Sequence, residues 1–140
     1  MSGFLYNKKT HQILLIQTKQ EGDLKLWSTM GGDVNDGEDV QEAFQRIINN
    51  LLNITLKTKD IYPIYDYFHS NRNKPNYVFY AEVKKKIYFD DIKRGSPSWV
   101  TFSETMKLPF ALQTKQDIVV GERVINAKLR DIEAQNALLV

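Results

Sequence analysis

Between Asp39 and Asn53 the segment DVQEAFQRIINNLLN places apolar side chains at Val40, Ala43, Phe44, Ile47, Ile48, Leu51 and Leu52. Intervals of three and four residues gather them into one broad stripe on a helix, wide enough to lie on a sheet. Asp39 supplies an N-cap, with Glu42 three residues later to complete a capping box. Asn53 suits the left-handed residue that ends such a helix. A helix with this face needs a sheet to cover, so the rest of the chain has to provide one.

The strands are legible. Gly3 to Tyr6 and Gln12 to Thr18 flank a polar turn, Asn7 to Thr10. The second run, Gln12-Ile13-Leu14-Leu15-Ile16-Gln17, is almost continuously apolar, as in a strand covered on both faces. Glu21-Gly22-Asp23 breaks it, and Leu24 to Met30 leads into Gly31-Gly32. Ile61 to His69 and Tyr77 to Val83 are aromatic-rich strand candidates joined by a polar hairpin loop, Ser70 to Asn76. A turn signal at Gly95-Ser96-Pro97 precedes a short strand, Trp99 to Phe102. Thr114-Lys115-Gln116-Asp117 reads as a second capping box, opening a helix that carries Ile118, Val124, Ile125, Leu129 and Ile132. With 140 residues, no repeat and no linker-like segment, the expectation is one mixed α/β domain over residues 1–140.

Composition excludes several chemistries. The chain has no cysteine, so it has neither disulfides nor a thiol nucleophile or thiolate zinc site, which fits a cytoplasmic setting. No signal peptide is expected at MSGFLYNKKTHQILLI, and no apolar run approaches the ~18 residues of a membrane helix. A net charge of +2 argues against a nucleic-acid partner, although Lys84 to Lys86, Lys93-Arg94 and Arg72 to Lys74 are local basic spots. His11 and His69 stand 58 positions apart without a motif around either, which leaves no Ser/His/Asp arrangement and no histidine zinc site. The apolar end Ala137-Leu138-Leu139-Val140 suits either a homodimer or packing on its own domain.

The chemistry-bearing stretch is the one before the helix. Gly31-Gly32 lets backbone approach a phosphate and offers N–H groups as an anion cradle. Asn35-Asp36-Gly37 is a turn, followed by Glu38. Arg46 is a bidentate fork for a phosphate or, as the favoured reading, for Glu38. Tyr65, Tyr67, Phe68, Tyr77, Phe79 and Tyr80 alternate along strands, so most belong to a core and one or two remain for a ligand.

These residues resemble the Nudix (MutT-like) hydrolase family, whose signature is G, five residues, E, seven residues, then R-E-U-x-E-E-x-G-U with U apolar. Gly32 lies six positions before Glu38, and Arg46 eight after it. Ile48 and Ile54 take apolar positions, and Ala43 stands where a small residue is favoured. Trp27 before Gly31-Gly32 is similar to the W-x-x-x-G-G approach, and Ser98 to Glu104 to the family's late strand-to-helix passage. The resemblance implies an α/β/α sandwich with a mixed central sheet. It also implies hydrolysis of nucleoside diphosphates linked to another moiety, using Mg2+ held by helix carboxylates.

The box is degenerate, however. The Glu expected after the Arg is Ile47, the paired metal-binding glutamates fall on Asn50 and Leu51, and the Gly falls on Asn53. Magnesium wants carboxylate oxygens, and Ile47 and Leu51, read as part of the core stripe, ligate nothing. The expectation is therefore a protein that binds a nucleotide or related phosphate ligand through Gly31, Gly32, Glu38 and Arg46 with little or no hydrolysis, no metal ligands and no cofactor. The alternative is a divergent Mg2+-dependent pyrophosphohydrolase drawing on Glu42, Glu82, Asp90, Asp91, Glu104 or Glu122. An RNA-associated module is a third reading.

Overall fold

The computed structural model describes residues 1–18, 25–69, 73–85 and 87–138. Strands β1 (Ser2–Asn7) and β2 (Gln12–Thr18) form the predicted hairpin, antiparallel from Leu5↔Leu14 to Asn7↔Gln12. Beyond Leu5 the two strands part, and two short strands fill the gap. Of these, β3 (Trp27–Ser28) pairs with β2, and β4 (Met30–Gly31) pairs with the start of β1. On its other edge β1 runs parallel to β6 (Lys74–Val83), which pairs antiparallel with β5 (Ile61–His69). The outer edge of β2 is covered by β7 (Gly95–Thr101). One parallel pair among antiparallel ones makes the sheet mixed.

Side chains alternate across it with the two-residue period of a strand. Leu5, Leu14, Ile16, Phe79 and Ala81 face one core, and Phe4, Tyr6, Ile13, Leu15, Val78 and Tyr80 face the other. The apolar run of β2 is thus buried on both faces, as its composition required. Helix α1 (Val40–Leu52) covers the first face with Ala43, Phe44, Ile48 and Leu52. Helices α2 (Phe102–Thr105) and α3 (Leu112–Leu138) lie on the second, where Ile118 and Ile125 are buried. The result is an α/β/α sandwich. No helix among the described residues is long and apolar enough to cross a membrane.

Local signals decide the ends of α1. The Asp39 carboxylate accepts from the N–H groups of Gln41 and Glu42 at 3.1 and 3.3 Å, and Asn53 closes the helix at φ 54°. Elsewhere tertiary contacts override them. The reciprocal capping box forms at Thr101 and Glu104, opening α2, rather than at Thr114 and Asp117. Helix α3 starts earlier, at Leu112, and Asp117 is drawn inward. It is 3% exposed and accepts hydrogen bonds from Tyr65 Oη at 2.6 Å and Gln113 Nε2 at 3.0 Å. The Gly95-Ser96-Pro97 segment is not a turn but the start of β7. The turn lies at Lys93-Arg94, closed by reciprocal Ile92–Gly95 backbone hydrogen bonds of 2.9 and 3.1 Å.

The Ser70–Asn76 loop is shorter than expected, since β6 already begins at Lys74; Ser70, Asn71 and Arg72 lie outside the described residues. Ile132 and Leu138 of α3 are exposed, so Leu138 does not pack on its own domain; Leu139 and Val140 lie outside the described residues. Lys128 ties α3 to the sheet, with Nζ 3.1 Å from Glu82 Oε1 and 3.1 Å from the centre of the Tyr62 ring.

Phe44 is fully buried between α1 and β6, where it meets Phe79. Phe44→Ala should destabilise the fold by about 3–5 kcal/mol, read as a lower urea midpoint in a denaturation titration. Asp117 tests the opposite face. Burial pushes its carboxyl above the ordinary value, and the hydrogen bonds from Tyr65 and Gln113 only partly offset this. A raised folded-state pKa costs nothing while both states are protonated and costs fully once pH exceeds the folded pKa. Asp117→Asn should therefore raise the melting temperature at pH 7, with the gain shrinking towards zero as pH falls below the ordinary Asp range. An equal gain at every pH would refute the ionic origin.

Candidate functional site

The parting of β1 and β2 brings Gly31-Gly32 to the end of the sheet. An added Cβ at Gly31 would stand 2.4 Å from the Met1 carbonyl oxygen, so the close approach of the first strand demands glycine there. The Gly32 N–H donates to that same Met1 carbonyl at 3.0 Å, and the Met1 amino group donates to Gly32 O at 3.0 Å. The Gly32 N–H expected to cradle an anion is therefore already engaged.

Beyond the glycines the chain turns at Asn35 to Gly37, with Gly37 at φ 76°, and Glu38 returns to the helix. Arg46 grips it by both oxygens, Nε to Oε2 and Nη2 to Oε1, each at 2.9 Å. Nη2 also donates to the Asp33 carbonyl at 3.0 Å, and the Asn35 N–H donates to Glu38 Oε1 at 3.1 Å. The Arg46 guanidinium, aided by the Asn35 N–H, holds the Glu38 carboxyl below the usual carboxylate range. Glu38 and Arg46 thus form the favoured ion pair. They steady the loop and hold each other.

A cleft of about 460 Å³ opens beside the glycine pair. The β5–β6 hairpin contributes Tyr67 and Asn76, joined by an Asn76 Nδ2 to Tyr67 Oη bond of 3.1 Å. Helix α3 contributes Gln113 and Asp117, the loop Asp33, and the turn before β7 Arg94. A second hollow of about 310 Å³ shares Asp33 and Asn76 with the cleft, and Val34, Val40, Pro75 and Tyr77 give it an apolar wall. A third, about 270 Å³, is lined by Gly31, Arg46, Ile47, Asn50, Leu51 and Arg94.

The third hollow is where the helix would present metal ligands, and its residues do not suit a divalent cation. Two guanidiniums, two aliphatic side chains and one amide line it, whereas magnesium needs several carboxylate oxygens. Among the described residues no three or more His, Asp or Glu side chains gather to hold a metal. Ile47 also departs from expectation. Leu51 packs partly against the core, but Ile47 leans over the loop, its Cδ1 2.9 Å from where a Gly32 Cβ would stand. It occupies the edge of the helical stripe rather than the centre.

The carboxylates considered as outside donors are placed elsewhere. Glu82 pairs with Lys8 and Lys128, and Glu104 caps α2. Asp90 and Asp91 line a separate hollow with Tyr88 and Asn53. Glu42 stands in the first turn of α1, and neither it nor Glu122 lines the cleft. His11 binds Tyr6 Oη through Nδ1 at 2.9 Å, and the side chain of His69 lies outside the described residues. Sequence reasoning missed Asp33, Asn76, Arg94, Gln113 and the inward turn of Asp117. Of these, the sequence marks only Arg94, as part of the basic Lys93-Arg94 pair.

The NUDIX domain family model matches residues 1–119. A search among curated proteins finds no match. Solved structures give the same fold. A mutT/nudix family protein from Listeria innocua superposes with TM-score 0.67 at 19% identity, over 92% of each chain. An Ap4A hydrolase from C. elegans gives 0.65 at 18% identity, over 92% of this chain and 96% of that one. The NUDIX domain of Shewanella oneidensis NrtR, complexed with ADP ribose, gives 0.65 at 15% identity, over 89% and 84%. With the glycine loop, the Glu38–Arg46 pair and the sandwich all in the matching order, the chain belongs to the NUDIX domain family.

Proposed function

We propose that this protein binds a nucleotide or a related diphosphate ligand and hydrolyses it poorly or not at all. One observation carries the reading. The ligand-sized cleft beside Gly31-Gly32 persists, while the adjoining helix face offers Ile47, Asn50 and Leu51 in place of metal-holding carboxylates. The cleft and the apolar hollow meet at Asp33 and Asn76, which suits a molecule with a phosphate centre and two ends. Structural neighbours described with ADP ribose and as an Ap4A hydrolase support that ligand class. Tyr67 would then be an aromatic wall for one end and Asn76 its polar partner. The ligand is soluble and small, and the setting cytoplasmic.

The second reading, a metal-dependent pyrophosphohydrolase, draws on one feature. Asp33 lines both the cleft beside the glycine pair and the apolar hollow, and Mg2+ enters only under this reading. Asp117 also lines the cleft but is engaged by Tyr65 and Gln113, which leaves Asp33 as the carboxylate for a metal there. One carboxylate is a weak magnesium site, so this reading ranks second.

Metal stabilisation of developing phosphate charge is worth several kcal/mol, which amounts to roughly 10³-fold or more in rate. Wild type, given a panel of nucleoside-diphosphate derivatives with Mg2+ or Mn2+, should show no turnover above a heat-killed control. The same preparation should bind ADP or ADP-ribose in a calorimetric titration. Ile47→Glu/Asn50→Glu/Leu51→Glu, checked for an intact melting transition, should gain turnover on the retained cleft. Clear wild-type hydrolysis abolished by Asp33→Asn would replace the first reading with the second.

A further inference from the structure

We infer that Arg94 is the phosphate-binding cation of this site, its guanidinium supplying by itself the positive charge that a metal would otherwise bring. The inference rests on the phosphate-ligand reading above and deepens it. Four observations converge on this side chain.

The first is position. Arg94 lines both the large cleft and the small hollow over Ile47, Asn50 and Leu51. It is thus the side chain that joins the open ligand space to the helix face from which the carboxylates are gone. The second is supply. Among the described residues lining the cleft, Arg94 is the one cationic side chain. Arg46 reaches the hollow but has given Nε and Nη2 to Glu38 and Asp33, and the Gly32 N–H is held by Met1. No hydrogen bond or ion pair engages Arg94 among the described residues. Its five donors remain for a ligand, in a planar fork that matches two phosphate oxygens.

The third is placement by the backbone. Lys93 and Arg94 form the tip of a two-residue turn closed by both Ile92–Gly95 hydrogen bonds. Gly95 has φ 153°, and a Cβ there would fall 2.0 Å from the Gln17 carbonyl oxygen. A residue other than glycine is excluded, so the turn is pinned to β2 and Arg94 emerges at a set point. The fourth is charge. With the carboxylates replaced, the hollow is lined by no carboxylate, and since Arg46 is paired with Glu38, Arg94 brings its unengaged guanidinium. Such a lining gives a divalent cation no charged ligand and gives an anion one guanidinium. Asp33 and Asp117 also line the cleft, whereas the hollow that Arg94 shares with Ile47, Asn50 and Leu51 is lined by no carboxylate.

The ligand class follows as a phosphate or diphosphate taken up without a divalent metal. Binding of ADP and ADP-ribose is measured by isothermal titration calorimetry, once in EDTA and once in excess Mg2+. Wild type should bind in EDTA, and Mg2+ should not tighten the affinity. Arg94→Ala should weaken binding by roughly tenfold or more, the usual scale for a charge-assisted hydrogen bond lost. Arg94→Lys should recover part of the loss, because it keeps the charge and loses the fork. Lys93→Ala, its neighbour in the same turn, should bind as wild type does. Melting curves establish that each variant is folded, and the lysine variant preserves the test should the alanine one fail to fold. Wild-type binding that appears only with Mg2+, or equal affinity in wild type and Arg94→Ala, would overturn the role of Arg94 while leaving the phosphate ligand standing. No binding to wild type under either condition would overturn the phosphate-ligand reading, and this inference with it.

Discussion

Everything at the site depends on β1 having to satisfy one edge with two different strands. Its Leu5–Asn7 half pairs with β2, and its Ser2–Gly3 half pairs with Gly31 and Met30 of β4. A buried central strand leaves no backbone group unpaired without a cost of about 1–3 kcal/mol each, so the gap opened by the diverging hairpin has to be filled. The chain fills it with residues 27–31 and is thereby delivered to the sheet end with its glycine pair in contact with Met1. From there α1 must lie back across the sheet face formed by Leu5, Phe79 and Ala81. Loop and helix are then adjacent because of the sheet, before any functional side chain acts.

The Glu38–Arg46 pair works within that frame. A half-exposed ion pair is weak as a source of stability. Its value here is geometric, since one guanidinium engages both oxygens of Glu38 and a loop carbonyl while the same carboxylate takes the Asn35 N–H. That combination sets the loop against the first two turns of α1. It involves none of the helix positions that would hold a metal, although Ile47 packs over Gly32 from one of them.

Legibility in the sequence follows the range of the interactions. The α1 stripe, its Asp39 cap, the Asn53 end and the two-faced burial of β2 are written in local sequence, and the structure carries them except at Ile47, which leaves the core for the loop. The Glu38–Arg46 pairing spans eight positions across one turn and was also readable. Thr101–Glu104 and Thr114–Asp117 share one local pattern, yet only the first forms a capping box. The difference is Tyr65, 52 positions from Asp117, which draws the carboxylate inward. Gly95 carries a turn signal in the sequence because glycine commonly marks one. Its reason is instead the carbonyl of Gln17, a neighbour only after β2 and β7 pair. Arg94 was visible as a basic spot, but its proximity to Ile47 and Asn50 exists only through the fold.

The replacement of carboxylates by Ile47 and Leu51 has its own energetic direction. Acidic side chains three and four positions apart on a helix repel one another by a few tenths of a kcal/mol per pair, and they cannot lie on a core. Leucine at position 51 instead packs partly against the first core, gaining roughly 25 cal/mol per Å² of apolar surface removed from water. Isoleucine at 47 closes over Gly32. Stability therefore favours the apolar face, while metal chemistry requires the acidic one. The same replacement alters what surrounds Arg94. Beside a carboxylate cluster its guanidinium would have internal partners. The hollow of Ile47, Asn50, Leu51 and an Arg46 already held by Glu38 offers it no carboxylate among the described residues. On the reading proposed above, an anion from solution takes the guanidinium that this helix face leaves without a carboxylate.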